Sequence, residues 1–259
     1  VTSPYYAALG GGGFALIKMN NKPVSVLDFR ETAPAKTSPK YYLDKEKTAS
    51  TKGGTAVGVP GVPAGLWALH QKYGKLKWRQ LFIHPIRLAK KGFHISGEWV
   101  KRTTNAQKNF TPIGLKFFTN KGKSFSPGAL FRQKRLARAL KKLQHHNIKD
   151  FYHGDIAQDI VKAVQKAGGD LSLKDMGGYK VRWLKPLTTE FANHKVYLMP
   201  PPSSGGVVIK MALDLIQRLE LDKVEPFSAQ EFHYLAEILS RSFRGRSLLG
   251  DPDFHKNPL

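Results

Sequence analysis

The 259-residue sequence contains no cysteine. Disulfides and thiolate metal sites are therefore excluded, while the redox compartment stays open, because a cysteine-free chain is stable in either. Long hydrophobic runs are missing too: nothing approaches the roughly 20 apolar residues of a membrane-spanning helix. Acidic residues are scarce, with 19 Asp and Glu against 42 Lys and Arg, a net charge of +23. Such an excess favours anionic partners (nucleic acid, a membrane surface, an acidic subunit) and says nothing about fold. The opening Val1-Thr2-Ser3-Pro4 has neither an initiating Met nor the basic and apolar regions of a signal peptide, so the chain is expected to begin inside a longer protein. What remains is ordinary for a globular chain: 41% apolar, 24% charged, no long biased tract. The length suits one large domain or two small ones.

Punctuation along the chain is clear. A four-glycine run, Gly10 to Gly13, precedes an apolar strand, Phe14–Ile17. Asn20-Asn21 marks a turn before a second strand, Pro23–Phe29, and so short a link predicts an antiparallel hairpin. Residues 35–54, rich in Lys, Thr, Ser and Pro, read as a loop. Apolar residues at helical spacing predict helices over Val62–Tyr73, Trp78–Lys91, Ala129–His145, Ile156–Ala167, Gly205–Leu219 and Ser228–Arg244. Gly168-Gly169 is a C-cap signal. Ser172 with Asp175, and Ser228 with Glu231, are capping boxes. Val196–Met199 reads as a short strand that ends at three prolines. No internal repeat or linker stands out, so a mixed α and β domain is expected, with strands towards both ends and helices between.

Most candidate sites fail on context. The basic helix Arg132–Lys142 keeps its leucines on one face and its charges on the other, which is a solvated helix. Gly122-Lys123-Ser124 resembles the end of a phosphate loop, but Phe117 stands where the required glycine belongs. Gly10-x-Gly12-x-x-Ala15 precedes a strand, whereas a dinucleotide fingerprint follows one. The nine histidines form no metal-binding pair at helical spacing, and Gly245-Arg246-Ser247-Leu248-Leu249-Gly250 misses a nucleophile elbow by one residue. Pro200 to Gly206, three prolines, two serines and two glycines, reads as a stiff approach to a tightly packed helix start. Arg30 remains. Its planar fork matches a carboxylate, and a strand end would hold it firmly, but spacing alone favours a surface ion pair with Glu31 or Asp28.

Six stretches occur in order: Gly10-Gly11-Gly12-Gly13-Phe14, Asp28-Phe29-Arg30-Glu31-Thr32-Ala33-Pro34, Val59-Pro60-Gly61-Val62-Pro63-Ala64-Gly65-Leu66, Phe151-Tyr152-His153-Gly154-Asp155, Pro200-Pro201-Pro202-Ser203-Ser204-Gly205-Gly206 and Ser247-Leu248-Leu249-Gly250-Asp251-Pro252-Asp253-Phe254. Together they resemble the large subunit of the γ-glutamyltranspeptidases, also called glutathione hydrolases. The resemblance implies an α+β fold, the αββα sandwich of N-terminal-nucleophile hydrolases, with residues 1–259 as an incomplete large-subunit region. It implies a precursor that cuts itself in two, and a small-subunit N-terminal threonine that attacks the γ-glutamyl amide of glutathione and passes the acyl group to water, amino acids or peptides. It implies that Arg30 binds the α-carboxylate of the glutamyl substrate. No cofactor, specific nucleic acid or membrane span is expected. The expected partner is the small subunit of the same precursor, and the expected location of the full protein is periplasmic or secreted.

Two departures from the family pattern follow. No threonine occurs after Thr189, and neither Thr103-Thr104 nor Thr188-Thr189 has the family's continuation, so the nucleophile is expected to lie outside this chain, which would be inert alone. Val1 to Tyr6 resembles the family's opening, but Ala7-Ala8-Leu9 leads directly to Gly10, so a long helical segment is expected to be missing there, with apolar surface exposed. Two other readings remain: a basic module on a polyanion or an anionic envelope surface, and an acylase of the same fold acting on cephalosporin side chains or poly-γ-glutamate.

Overall fold

A computed structural model describes residues 1–258; Leu259, the last residue of the expected 1–259 region, lies outside the described residues. In chain order the elements are strands β1 (Phe14–Ile17) and β2 (Ser25–Asp28), helices α1 (Val62–Tyr73), α2 (Trp78–Leu81) and α3 (Ile83–Lys91), strand β3 (Phe93–His94), helices α4 (Gly97–Ala106) and α5 (Pro112–Phe118), strands β4 (Thr119–Asn120), β5 (Lys123–Ser124) and β6 (Leu130–Phe131), helices α6 (Lys134–His146), α7 (Lys149–Tyr152), α8 (Asp155–Lys166) and α9 (Leu173–Gly178), strands β7 (Arg182–Leu184), β8 (Leu187–Phe191) and β9 (His194–Leu198), and helices α10 (Gly205–Arg218) and α11 (Ala229–Arg246). The mixture is α+β, as expected.

The chain divides into two units. Unit 1 comprises Val1–Gly13 and Phe29–Val181; unit 2 comprises Phe14–Asp28 and Arg182–Leu259. In unit 1 most helices meet on one apolar cluster, which joins Ala64, Phe82, Ala89, Ala137, Leu140, Leu143, Phe151, Tyr152, Ala157 and Val161. Small alanines let helices approach closely, and each fully buried large side chain adds about 1.5–3 kcal/mol. A second cluster gathers Ile95, Trp99 and Phe131. The opening residues pack too: Val1 and Leu9 lie against the first cluster and Tyr5 against the second, its ring edge-on to Trp99 at 6.3 Å.

In unit 2, β1, β2 and β7 form an antiparallel sheet with β2 central. The expected hairpin is present. Its turn closes through Lys22 N–H to Met19 O, with Asn21 in the left-handed region, which asparagine tolerates. Strand β7 escaped the sequence reading because its partner β2 lies far away in the chain. So did β8, whose two-residue turn to β9 uses Ala192 and Asn193, both at positive φ, without the usual glycine.

Two helix expectations are corrected. Trp78–Lys91 is not continuous: it breaks at Phe82 into α2 and α3. Pro85 lacks an N–H, and its ring crowds the carbonyl of Leu81 four residues back. Ala129–His145 starts later than expected, because Leu130 and Phe131 pair with His94 and Phe93 and Gln133 N–H donates to Ala89 O before the helix begins at Lys134. Other signals held. Gly168 and Gly169 close α8 by donating to Gln165 O and Val164 O, a Schellman end. Ser172 and Asp175 form a reciprocal capping box, whereas Glu231 reaches past Ser228 to accept from Phe227 N–H.

Residues 35–53 contain turns only, yet side chains anchor them. Tyr41 donates to Asp170 at 2.5 Å, Tyr42 donates to Thr55 O at 2.8 Å, and Asp175 accepts from Ala35 N–H at 2.9 Å.

Candidate functional site

The site is built around the backbone from Phe29 to Thr32 in unit 1. Gly13 and Phe29 exchange two main-chain hydrogen bonds, of 3.1 and 2.9 Å. Thr32 and Val59 exchange two more, of 3.3 and 2.8 Å. Between these anchors the Arg30 carbonyl accepts from the Tyr179 hydroxyl at 2.8 Å. The glycines explain how the layers close. A Cβ on Gly12 would sit 2.6 Å from Glu31 N and 2.8 Å from the Arg30 Cα, so only glycine fits beneath the turn. A Cβ on Gly61 would collide with the Phe29 carbonyl oxygen and the Tyr179 hydroxyl. Gly61 is also the N-cap of α1, and the N–H groups of Gly61 and Val62 both donate to Gly11 O, at 2.9 and 3.0 Å. Two of the free amides at that helix start thus hold the glycine run in place.

Tyr179 is itself fixed. Its ring stacks on Tyr152 with centroids 5.7 Å apart and planes 7° from parallel. The Tyr152 hydroxyl donates to Pro60 O at 2.7 Å and accepts from Ala64 N–H at 3.3 Å. Burial pushes the Tyr152 phenol well above its ordinary range, so it stays a neutral donor. Both tyrosines line a cleft of about 300 Å³, together with Ala64, Trp67, Asn147, Ile148, Lys149, His153 and Gly177. Arg30 is not part of that lining; its side chain is exposed. The arrangement presents a guanidinium on an immobile main chain, which suits recognition of a planar anion.

Of the residues marked in the sequence, the glycine run, Arg30 and the Val59–Gly65 stretch come together. Tyr179 and Tyr152 were not foreseen as its supports, because a lone tyrosine carries no sequence signal. The remaining motifs have structural roles. Pro200–Gly206 starts α10, and a Cβ on Gly206 would collide with the Met199 main chain, in keeping with a tight packing site. Ser204 occupies the N-cap without a side-chain cap bond; its hydroxyl accepts from Arg246 Nε at 2.8 Å instead. Lys121 and Gly122, both at positive φ, form the turn between β4 and β5. Thr103 is buried and donates to Trp99 O, and Thr189 is buried and donates to Asp214 at 2.7 Å, so neither hydroxyl is placed to attack a substrate.

In unit 2, Arg182 joins three carboxylates: Asp28 at 2.7 Å, Asp253 at 2.7 Å and Asp251 at 3.5 Å. Burial works against the Arg182 charge, but the carboxylates outweigh it and hold its pKa above the ordinary value. Asp28, foreseen as one ion-pair partner for Arg30, is thus bonded to Arg182 by two hydrogen bonds, at 3.1 and 2.7 Å.

Comparison with known proteins adds a family pattern. The sequence profile of gamma-glutamyltranspeptidase matches residues 1–259. The glutathione hydrolase proenzyme of Pseudomonas sp. (strain A14) is 38% identical over 267 positions, which cover 100% of this chain and 46% of that protein. The crystal structure of Helicobacter pylori gamma-glutamyltranspeptidase is 35% identical with a TM-score of 0.95, over 100% of this chain and 76% of that one. Gamma-glutamyltranspeptidase from Pseudomonas nitroreducens, complexed with L-DON, is 33% identical with a TM-score of 0.93, over 100% and 78% of the two chains. The chain therefore spans about half the length of the curated relatives it matches. These matches also correct one expectation. An alignment of 267 positions to 259 residues leaves no room for a long helix between Tyr6 and Gly10; of the stretch itself Leu9 packs on the first cluster, while Tyr6, Ala7 and Ala8 are exposed.

Proposed function

The chain belongs to the γ-glutamyltranspeptidase family, with the α+β fold of the N-terminal-nucleophile hydrolases, and from that premise we propose that residues 1–259 are part of the large subunit of an enzyme that cleaves γ-glutamyl amides. In this reading the partner is the small subunit of the same precursor. Its N-terminal threonine attacks the γ-carbonyl of glutathione or a similar donor. The amine leaves, a γ-glutamyl ester forms on the threonine, and water or the amine of an amino acid or peptide then takes the acyl group. No cofactor enters this chemistry. The full protein would work in the periplasm or outside the cell.

Arg30 is assigned to the α-carboxylate of the donor. The observation that carries this is the pinned Phe29–Thr32 main chain with the Arg30 side chain exposed. Binding the end of the substrate remote from the scissile bond orients the γ-carbonyl without spending the chain's own groups on the chemistry. The isolated chain is expected to be inert, because the attacking threonine is supplied by the partner.

The test combines intact mass with a γ-glutamyl-p-nitroanilide assay on the full-length gene product purified from its own cells. The expected result is two polypeptides, the smaller starting at threonine, with activity in their complex and none in residues 1–259 alone. Turnover by the isolated chain, or a single inactive polypeptide from the native cells, would contradict the proposal.

A further inference from the structure

The excess charge is concentrated. Between Lys47 and Lys149 there are twenty-two Lys and Arg and a single acidic residue, Glu98, a net +21 out of the chain's +23. Glu98 is itself paired with Arg102 at 2.6 Å. The centre of this segment is the pair α3 and α6, which pack on each other. Gln133 N–H donates to Ala89 O at 2.8 Å, Arg132 Nε donates to Lys91 O at 3.1 Å, and Ala89, Ala137 and Leu140 share one core cluster. Their inward faces are thereby committed. Their outward residues, Arg87, Lys90 and Lys91 on α3 and Arg135, Arg138 and Lys141 on α6, are exposed. Among the described residues none of the six has a carboxylate partner; Glu98, Asp155 and Asp150 pair with Arg102, Lys142 and His146 instead.

Six like charges on two adjoining helices repel one another, so the cluster costs folding energy unless an anion covers it. The residues among them indicate which anion. Ile83 stands four and seven residues before Arg87 and Lys90, hence on the same face of α3, and it is 55% exposed. Leu76 and Leu81, beside Lys75, Lys77 and Arg79, are 60% and 42% exposed. Apolar side chains set among cations fit the boundary between lipid headgroups and acyl chains. A surface for nucleic acid would turn aromatics outward for stacking, but here Trp78 packs edge-on against Trp67 at 4.9 Å and Phe82 at 5.0 Å within unit 1. We infer that the α3–α6 face docks the protein on a bilayer rich in anionic phospholipid, a role separate from γ-glutamyl chemistry.

The test is sedimentation of the full-length processed protein with vesicles of phosphatidylglycerol in phosphatidylcholine, against phosphatidylcholine alone. Binding is expected only to the anionic vesicles and should weaken as salt is raised. Neutralising α3 (Arg87→Gln, Lys90→Gln, Lys91→Gln) is expected to weaken binding at least about tenfold, and adding Arg135→Gln, Arg138→Gln and Lys141→Gln to abolish it. The same number of changes in unit 2 (Lys18→Gln, Lys185→Gln, Lys195→Gln) should leave it nearly intact. γ-Glutamyl-p-nitroanilide turnover in all variants reports that they fold. Ile83→Ser should weaken binding severalfold at unchanged charge. Equal binding by the six-fold variant, an equal loss in the unit 2 control, full binding by Ile83→Ser, or tighter binding to duplex DNA than to vesicles at the same salt would each overturn the inference.

Discussion

Arg182 in unit 2 and Arg30 in unit 1 stand at similar places, one opening a strand and the other just past the end of one, yet they are held in opposite ways. Arg182 is gripped by its side chain: Asp28, Asp251 and Asp253 surround the guanidinium, and the Asp28 side chain is almost fully buried. Arg30 is gripped by its main chain: Tyr179 holds its carbonyl, Gly12 and Gly61 admit close layers, and the neighbouring residues are locked to Gly13 and Val59. The first arrangement uses an arginine to tie chain segments together. The second fixes where an arginine starts, on a residue exposed at the surface, which suits ligand recognition.

That contrast can be broken from either side. The largest effect is expected at Gly61. In Gly61→Ala the new methyl group meets the Phe29 carbonyl, so the full-length protein should lose about 3 kcal/mol in denaturant unfolding, or fail to fold. Arg182→Met comes next. It strips a buried carboxylate of a principal partner, and because Arg182 is itself about a third exposed the loss should be about 2 kcal/mol, with the KM for γ-glutamyl-p-nitroanilide unchanged. A raised KM in this variant would erase the distinction between the two arginines. Tyr179→Phe removes one hydrogen bond to the Arg30 carbonyl and should cost about 1 kcal/mol, with a KM increase of a few-fold. Restoration of KM by added salt or osmolyte would speak for simple instability instead.

The smallest effect concerns pH. Tyr41 donates to Asp170 and is thereby held protonated, its pKa pushed up to about 12 from 10.0. A phenol raised by folding lends stability that is complete below the unfolded value and lost as pH climbs through the folded one. The Tyr41 tether should therefore weaken between about pH 10 and 12, read as late phenolate absorbance and as loop proteolysis in that window. Ionisation of all tyrosines together near pH 10 would contradict it.

Local chemistry made much of this legible beforehand. The β1–β2 hairpin announced itself by apolar strands around an asparagine pair, and α8 by its terminal glycines. The glycine run was read only as the lead-in to a strand, and the close layers it admits showed in the folded chain. Long-range partners were not legible: β7 joins β2 across more than 150 residues, and the Arg182–Asp28 pair follows from that register. Pro85 was in plain view, but its apolar neighbours kept a helical period across the break. The assignment proposed for Arg30 came from family motifs, since spacing alone favoured an ion pair, and its supports Tyr179 and Tyr152 became visible only when the chain was folded.

The central claim is that Arg30 recognises the donor's α-carboxylate, and its most direct test is kinetic. Arg30→Ala and Arg30→Lys in the full-length processed enzyme should be assayed with γ-glutamyl-p-nitroanilide and with the same donor lacking its α-carboxylate. For Arg30→Ala the account predicts a KM at least about tenfold higher for the normal donor, partial recovery in Arg30→Lys, unchanged thermal stability, and no penalty with the decarboxylated donor. An equal loss on both donors, or no loss on either, would contradict it.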